Sequence, residues 1–277
     1  MADQNLPVTS REYKLMLDTS RFQERGEGGK AYLDLVKFII EKEKGVFVPQ
    51  EKIDGGNLEP KTRRTSFLDT PEMGFRGHGF ILRVREKKKR QLNLKYRGPD
   101  RYAAAVQKVA PVPPAGAELD GDKFEEDVLP AFVSQFSRSA SVEKVEAGLD
   151  LSTVERVAAV FPGLGELGIP GDTEVVVANG FTAHEVVLHV GGFRFGGDAP
   201  VKMALSFWYL QETMTGFPMV GEFSFDYDAL AESAGALEQF PLETVKGTER
   251  VFRALQLQAG WLDLAGTTKS AFAVSGL

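Results

Sequence analysis

The chain has 277 residues, a formal net charge of -6 and 43% hydrophobic against 26% charged side chains, values ordinary for a soluble globular protein of one sizeable domain. The acidic balance argues against a general nucleic-acid coat, which spreads positive charge over an exposed face, and zero cysteines remove disulfides and thiolate chemistry. Met1 to Asn5 has no basic region leading into an apolar core, and no run nears the about 18 apolar residues of a membrane span, so a cytoplasmic protein without membrane contact is expected.

Residues 11–17 read as a first strand, with Glu12 and Lys14 on one face and Tyr13, Leu15 and Leu17 on the other. Tyr32, Leu35, Val36, Ile39 and Ile40 follow at the spacing of an amphipathic helix ended by glycine at Gly45. Val46 to Val48 is a short strand, Asp54 to Asn57 a turn, and Arg63 to Asp69 a strand stopped by Thr70-Pro71. Leu82 to Arg85 and Leu92 to Arg97 then form a hairpin around the Lys87 to Arg90 run. Its apolar face carries Leu82, Val84, Leu92, Leu94 and Tyr96, and its other face Arg83, Arg85, Lys95 and Arg97.

A Pro/Ala-rich connection lies near 109–119, followed by a strand from Lys123 to Val128 with Glu125 and Asp127 on one face. Residues 130–165 are expected to be a helical insertion, with Ser152-Thr153 capping Val154 to Val160. Short strands resume over 173–177, 184–190, 193–195, 201–210 and 222–228, with Gly191-Gly192 and Gly196-Gly197 as turns and Trp208 and Tyr209 packed beneath a helix. The last strand alternates Glu222, Ser224, Asp226 and Asp228 with Phe223, Phe225 and Tyr227. A helical segment, 229–277, closes a single domain of 1–277.

The strands share one apolar face and one face of Arg, Lys, Glu and Asp. Like charges on neighbouring strands repel, so lined-up cations need water, carboxylates or a polyanion between them. Either the charged faces are simply wet and the apolar faces make a sandwich core, or the sheet closes with its charged faces inside and its helices outside. His78, His184 and His189 are too scattered for a recognisable metal site.

Glu12-Tyr13-Lys14, Phe67 to Pro71, Leu82 to Arg85, Leu92 to Lys95 and Glu125 to Asp127 resemble, in that order, the signatures of the CYTH superfamily of triphosphate tunnel metalloenzymes, which includes class IV adenylate cyclases and thiamine triphosphatases. The likeness is dense over 10–128 and looser beyond. It implies an α+β fold, a closed antiparallel β-barrel of about eight strands with helices packed outside, whose tunnel binds tripolyphosphate, thiamine triphosphate or a nucleoside triphosphate with Mg²⁺ or Mn²⁺. Residue by residue it implies Lys14 and Glu12 as catalytic, Lys14 as a base if its pKa is depressed. Arg83, Arg85, Lys95, Arg97, Arg64, Lys202 and Arg194 would hold phosphate, with Arg138 a further late candidate. Glu12, Glu125, Asp127, Glu222, Asp226 and Asp228 would hold the metal. Hydrolysis of a phosphoanhydride is the first expectation, cyclisation and a non-catalytic polyphosphate or nucleotide-binding module the alternatives; nucleic acid is disfavoured and a homodimer stays open.

The chain departs from the family opening Glu-x-Glu-x-Lys, because Ser10 stands where the first glutamate belongs. One carboxylate is lost there. The late Glu222 to Asp228 stretch also offers aspartates where the family has paired glutamates.

Overall fold

The structure is a computed structural model and describes residues 6–53, 59–87, 89–196, 200–229, 240–266 and 268–275. The turn expected at Asp54 to Asn57 and the glycine at Gly197 lie outside the described residues. Ten strands form one sheet: β1 (Ser10–Leu17), β2 (Val46–Val48), β3 (Lys61–Asp69), β4 (Phe80–Glu86), β5 (Arg90–Gly98), β6 (Glu118–Leu129), β7 (Val133–Val145), β8 (Val176–Arg194), β9 (Val201–Tyr209) and β10 (Val220–Asp228). Their order is β2-β8-β3-β4-β5-β7-β6-β1-β10-β9, and β9 pairs back onto β8. The ladder therefore runs round a ring, with β2 beside the end of β8.

This is a larger and less uniform sheet than the expected eight antiparallel strands. β1 runs parallel to β6, with Ser10 against Glu125 and Tyr13 against Val128, and antiparallel to β10, with Glu12 against Asp226. Parallel neighbours need a long crossover rather than a hairpin, and β2 to β5 lie in the chain between β1 and β6.

Helices cover the outside of the sheet. α1 (Arg25–Lys42) and α6 (Leu242–Gln256) bury Tyr32, Val36, Ile39, Ile40, Val251, Phe252 and Leu255 against Tyr13, Leu15, Leu205, Phe207, Phe223 and Phe225. Across the ring, α2 (Gly74–Gly77), α4 (Val154–Val160) and α5 (Pro162–Gly165) bury Phe75, Val154, Val157 and Leu164 against Leu82, Val84, Leu92, Leu94, Ala140 and Val142. α3 (Arg101–Ala105) packs on β5 and β7, whereas α7 (Lys269–Ser275) lies against β3 and β8 on the cavity side. Every apolar strand face of the hairpin and of β10 thus meets a helix, which leaves the charged faces on the inside.

Three elements differ from expectation for identifiable reasons. Residues 133–145, expected as helix, are β7: Ser137, Ser139 and Ser141 alternate with Arg138, Ala140 and Val142, and the strand pairs on both sides, with β5 and β6. The short strands expected over 173–195 are one strand, β8, bent by a register shift between His189 and Gly192. Gly191 and Gly192 are not a turn but this bulge, where an added Cβ would meet Val48 O at 2.6 Å and Val201 O at 2.2 Å. Gly45 does follow α1, yet the left-handed residue there is Lys44 (φ 66°). Gly45 is small because Ile40 and Phe195 press on it, at 2.9 and 3.1 Å from a would-be Cβ.

Candidate functional site

The inward faces meet in a cavity of about 240 Å³ lined by Glu12, Lys14, Thr65, Phe67, Ile81, Arg83, Arg85, Asn93, Lys95, Arg97, Glu125, Glu185, Trp208, Glu222 and three residues of the C-terminal segment, Thr268, Lys269 and Ser270. Strand alternation explains the set. Arg83 and Arg85 take turns with Leu82 and Val84, Lys95 and Arg97 with Leu94 and Tyr96, and Glu12 and Lys14 with Tyr13 and Leu15.

The wall made by β3, β4 and β8 is basic and under-compensated. Arg83 Nε and Arg85 Nε are buried and have no hydrogen-bond partner among the described residues. Burial, then the charge of Arg63, lowers the Arg83 pKa to about 10, and burial followed by Arg83 and Arg63 holds Arg85 well below the usual guanidinium range. Glu185, fully buried, is the shared counter-ion. It accepts from Arg63 Nε at close range, lies 3.9 Å from Arg85 and 3.3 Å from Lys269, and accepts from Ser206 Oγ at 3.0 Å. Burial alone would raise its pKa, but Lys269, Arg63 and Arg85 outweigh that and keep it well below the carboxylate range. One carboxylate thus faces several cations.

The wall made by β1, β5 and β6 is balanced. Asp127 accepts from Lys14 at 2.8 Å and from Arg97 at 2.6 Å, and Glu125 accepts from Lys95 at 2.9 Å. Burial would raise Asp127, but Lys14 and Arg97 carry it below the carboxylate range, and Lys95 does the same for Glu125. Lys14 also lies 2.8 Å from Glu12. Burial would strip its proton, yet Asp127 and Glu12 outweigh burial and raise its pKa. That direction is opposite to the one a base requires.

A third region is acidic. Asp127, Glu12, Asp226 and Lys202 lie in one row across β6, β1, β10 and β9, and the neighbouring row holds Glu125, Ser10 and Asp228. Burial, then Glu12 and Asp228, pushes the Asp226 carboxyl up to about 7. Carboxylates held against one another in this way have the donor chemistry of a hard divalent ion that keeps some waters. Glu12 and Asp226 are the pair with this chemistry, although Lys14 lies 2.8 Å from Glu12 and Asp226 is outside the cavity lining. The wider set does not assemble, because Lys95 occupies Glu125, Lys14 and Arg97 occupy Asp127, and Lys269 at 2.9 Å occupies Glu222. Asp228 is exposed, and among the described residues no three His, Asp or Glu side chains stand together as a metal cluster. Ser10 Oγ sits 3.5 Å from Glu125 Oε1.

Four basic candidates fall outside the cavity lining. Arg64 points outward, 58% exposed and 3.2 Å from Glu86. Arg194 is exposed at the end of β8, and Arg138 is 2.7 Å from Asp122 on the outer side. Lys202 faces Asp226 across the strand pair but is not in the lining. Sequence reasoning missed Arg63, Glu185, Lys269 and the inward turn of Trp208. Arg63 was findable, since it alternates with Arg64 on the same strand.

No protein-family model matches the chain, and no curated protein matches it. Among solved structures it is similar to a candidate adenylyl cyclase from Hippeastrum, described as having a dominant triphosphatase activity, with 14% identity, a TM-score of 0.45 and 98% of this chain and 97% of that one covered. A candidate adenylate cyclase from Bacillus halodurans is similar at 13% identity and a TM-score of 0.43, over 96% and 97% of the two chains.

Proposed function

We propose that the ring is a closed tunnel of the CYTH type and that it binds a triphosphate, with metal-dependent hydrolysis of a phosphoanhydride bond as its activity. The observation that carries this reading is the crowding of Arg63, Arg83 and Arg85 around one carboxylate, Glu185, with the Arg83 and Arg85 Nε atoms buried and without partners among the described residues. Desolvated cations that share a single carboxylate are costly, and a ligand of opposite charge would offset that cost.

A triphosphate spreads its charge over a length that no single cation spans. Arg83 and Arg85 meet it on one wall and Lys95 and Arg97 on the other, guanidinium forks accepting phosphate geometry in pairs and Lys acting as a point charge. Lys14 adds a fixed positive charge between Glu12 and Asp127. Mg²⁺ or Mn²⁺, when bound at Glu12 and Asp226, supplies neutralisation of phosphoryl charge and a more acidic water. The low-dielectric walls strengthen every one of these contacts relative to water.

Binding without turnover is the second reading, favoured by Ser10 and by the absence of an assembled carboxylate cluster among the described residues. A phosphate-release screen over tripolyphosphate, thiamine triphosphate, ATP and GTP with Mg²⁺ or Mn²⁺ separates them, with Arg85→Ala as control. Turnover that the variant abolishes supports the hydrolase. Equal rates in both chains would remove the tunnel from the chemistry, and calorimetric binding without turnover would favour the second reading. Orthophosphate as product marks hydrolysis, and pyrophosphate with a cyclic nucleotide marks cyclisation.

A further inference from the structure

One end of the cavity is built differently from its charged walls. Phe67, Ile81 and Trp208 line it, and Phe67 and Phe181 flank the indole at ring-centroid distances of 6.0 and 5.9 Å. Phe272 and Ala273 of α7 pack into the same apolar cluster and cover that end. Trp208 is 2% exposed, and its Nε1–H is buried with no acceptor among the described residues. Buried indole N–H groups normally find a partner, and leaving a donor unpaired costs about 1–3 kcal/mol.

The polar neighbours are already engaged with one another. Ser206 Oγ donates to Glu185 and accepts from Lys269 at 3.0 Å, and Thr65 Oγ1 donates to Glu185 at 3.3 Å. Flanking aromatic rings offer the indole no oxygen. Its acceptor has to come from whatever fills the cavity.

We propose that Trp208 Nε1 is a binding donor at the apolar end of the cavity and takes an oxygen of a terminal phosphoryl group. This rests on the reading of Arg83 and Arg85 as anion-binding. Glu185, directly opposite Trp208 across β8 and β9, does not repel such a group, because Arg63, Arg85 and Lys269 surround it. The cavity is small, about 240 Å³, and its indole end is packed with Phe67, Phe181, Ile81 and Ala273, which favours a compact, unesterified end of the ligand there. Whatever the other end carries stays toward a second cavity of about 750 Å³, which shares Arg85 and is rimmed by Lys61, Lys87 and Lys89. The ligand class is therefore a phosphate chain with one free end leading.

The chain has two tryptophans, and Trp261 lies in the other apolar cluster beneath α1. A Trp261→Phe variant of the ¹⁵N-labelled protein leaves one indole resonance, that of Trp208. Tripolyphosphate should move that proton downfield and slow its exchange with solvent, whereas a diadenosine triphosphate, capped at both ends, should leave it in place. Trp208→Phe should weaken tripolyphosphate binding about tenfold, the worth of one hydrogen bond to a charged group. Calorimetric binding of tripolyphosphate with the Trp208 resonance unmoved would overturn this inference and leave the anion site standing. No binding to the wild-type chain would overturn the anion site itself, and this inference with it.

Discussion

The two charged walls of the ring are made of the same residue types and behave in opposite ways. On the β1, β5 and β6 wall each of Lys14, Lys95 and Arg97 has a carboxylate within 3 Å, and Asp127 alone serves two of them. On the β3 and β4 wall Arg63, Arg83 and Arg85 crowd one another around Glu185. Charge pairing within the chain offsets most of the first wall's charge. It does not do so for the second, where desolvated cations are left partly unanswered. The contrast teaches that an excess of cations, rather than their number, marks where an anion belongs.

The comparison breaks first at the arginines. Replacing Arg83 and Arg85 together by Ala should lower tripolyphosphate affinity by at least about 100-fold, two charged hydrogen-bonding partners being lost. Thermal stability should hold or rise in the same variant, because like charges leave the core. A variant that loses stability but keeps affinity would make this wall structural after all.

Glu185→Gln should be the most damaging single change for stability, about 3 kcal/mol at pH 7 by denaturant unfolding, since it leaves buried cations unpaired. The sign with pH follows from the lowered carboxyl pKa. Its contribution is complete above the unfolded carboxylate pKa of about 4 and fades as pH falls through the folded value, so wild type and variant should converge in acid. A gap that stays constant down to pH 3 would contradict the pairing.

Asp226→Asn tests the third, acidic region with a smaller effect. Ionised Asp226 is disfavoured in the fold, so wild type should lose stability relative to the variant as pH rises from about 4 to about 7. Mg²⁺ or Mn²⁺ should restore it, by about 2.7 kcal/mol at a hundredfold excess over Kd, and should leave the variant unmoved in a thermal-shift measurement. Arg64→Ala should change affinity by less than about twofold, as expected of an exposed ion pair. A large loss there would extend the anion site to the outer rim.

Arg83, Arg85, Lys95 and Arg97 were legible in the sequence because alternation with Leu and Val fixes their face. Arg64, implied by the family resemblance alone, is turned the other way by its strand. Placing every apolar residue outside puts Phe67 on the outer face and, two residues at a time, Arg64 inside; Phe67 in fact packs inward on Trp208, so Arg63 takes the inner place. β7 was hidden because its inner face is serine, small enough to stand beside Arg97 and Glu125 yet without the branched or aromatic residues that announce a strand. Glu185 sits within an apolar run and Lys269 beyond α6, and only the closed ladder and the return of α7 bring them together.

The place of β1 has a consequence for how the protein comes to be folded. β1 is wedged between β6 and β10, so its seat is complete only when Asp228 has been made and has come back to Ser10. Contacts of such sequence separation form slowly and carry a large loop-closure cost. Until then Glu12 has no Asp226 beside it, and the acidic region is incomplete. A chain shortened before β10 would lose the two walls' connection rather than one edge of a sheet.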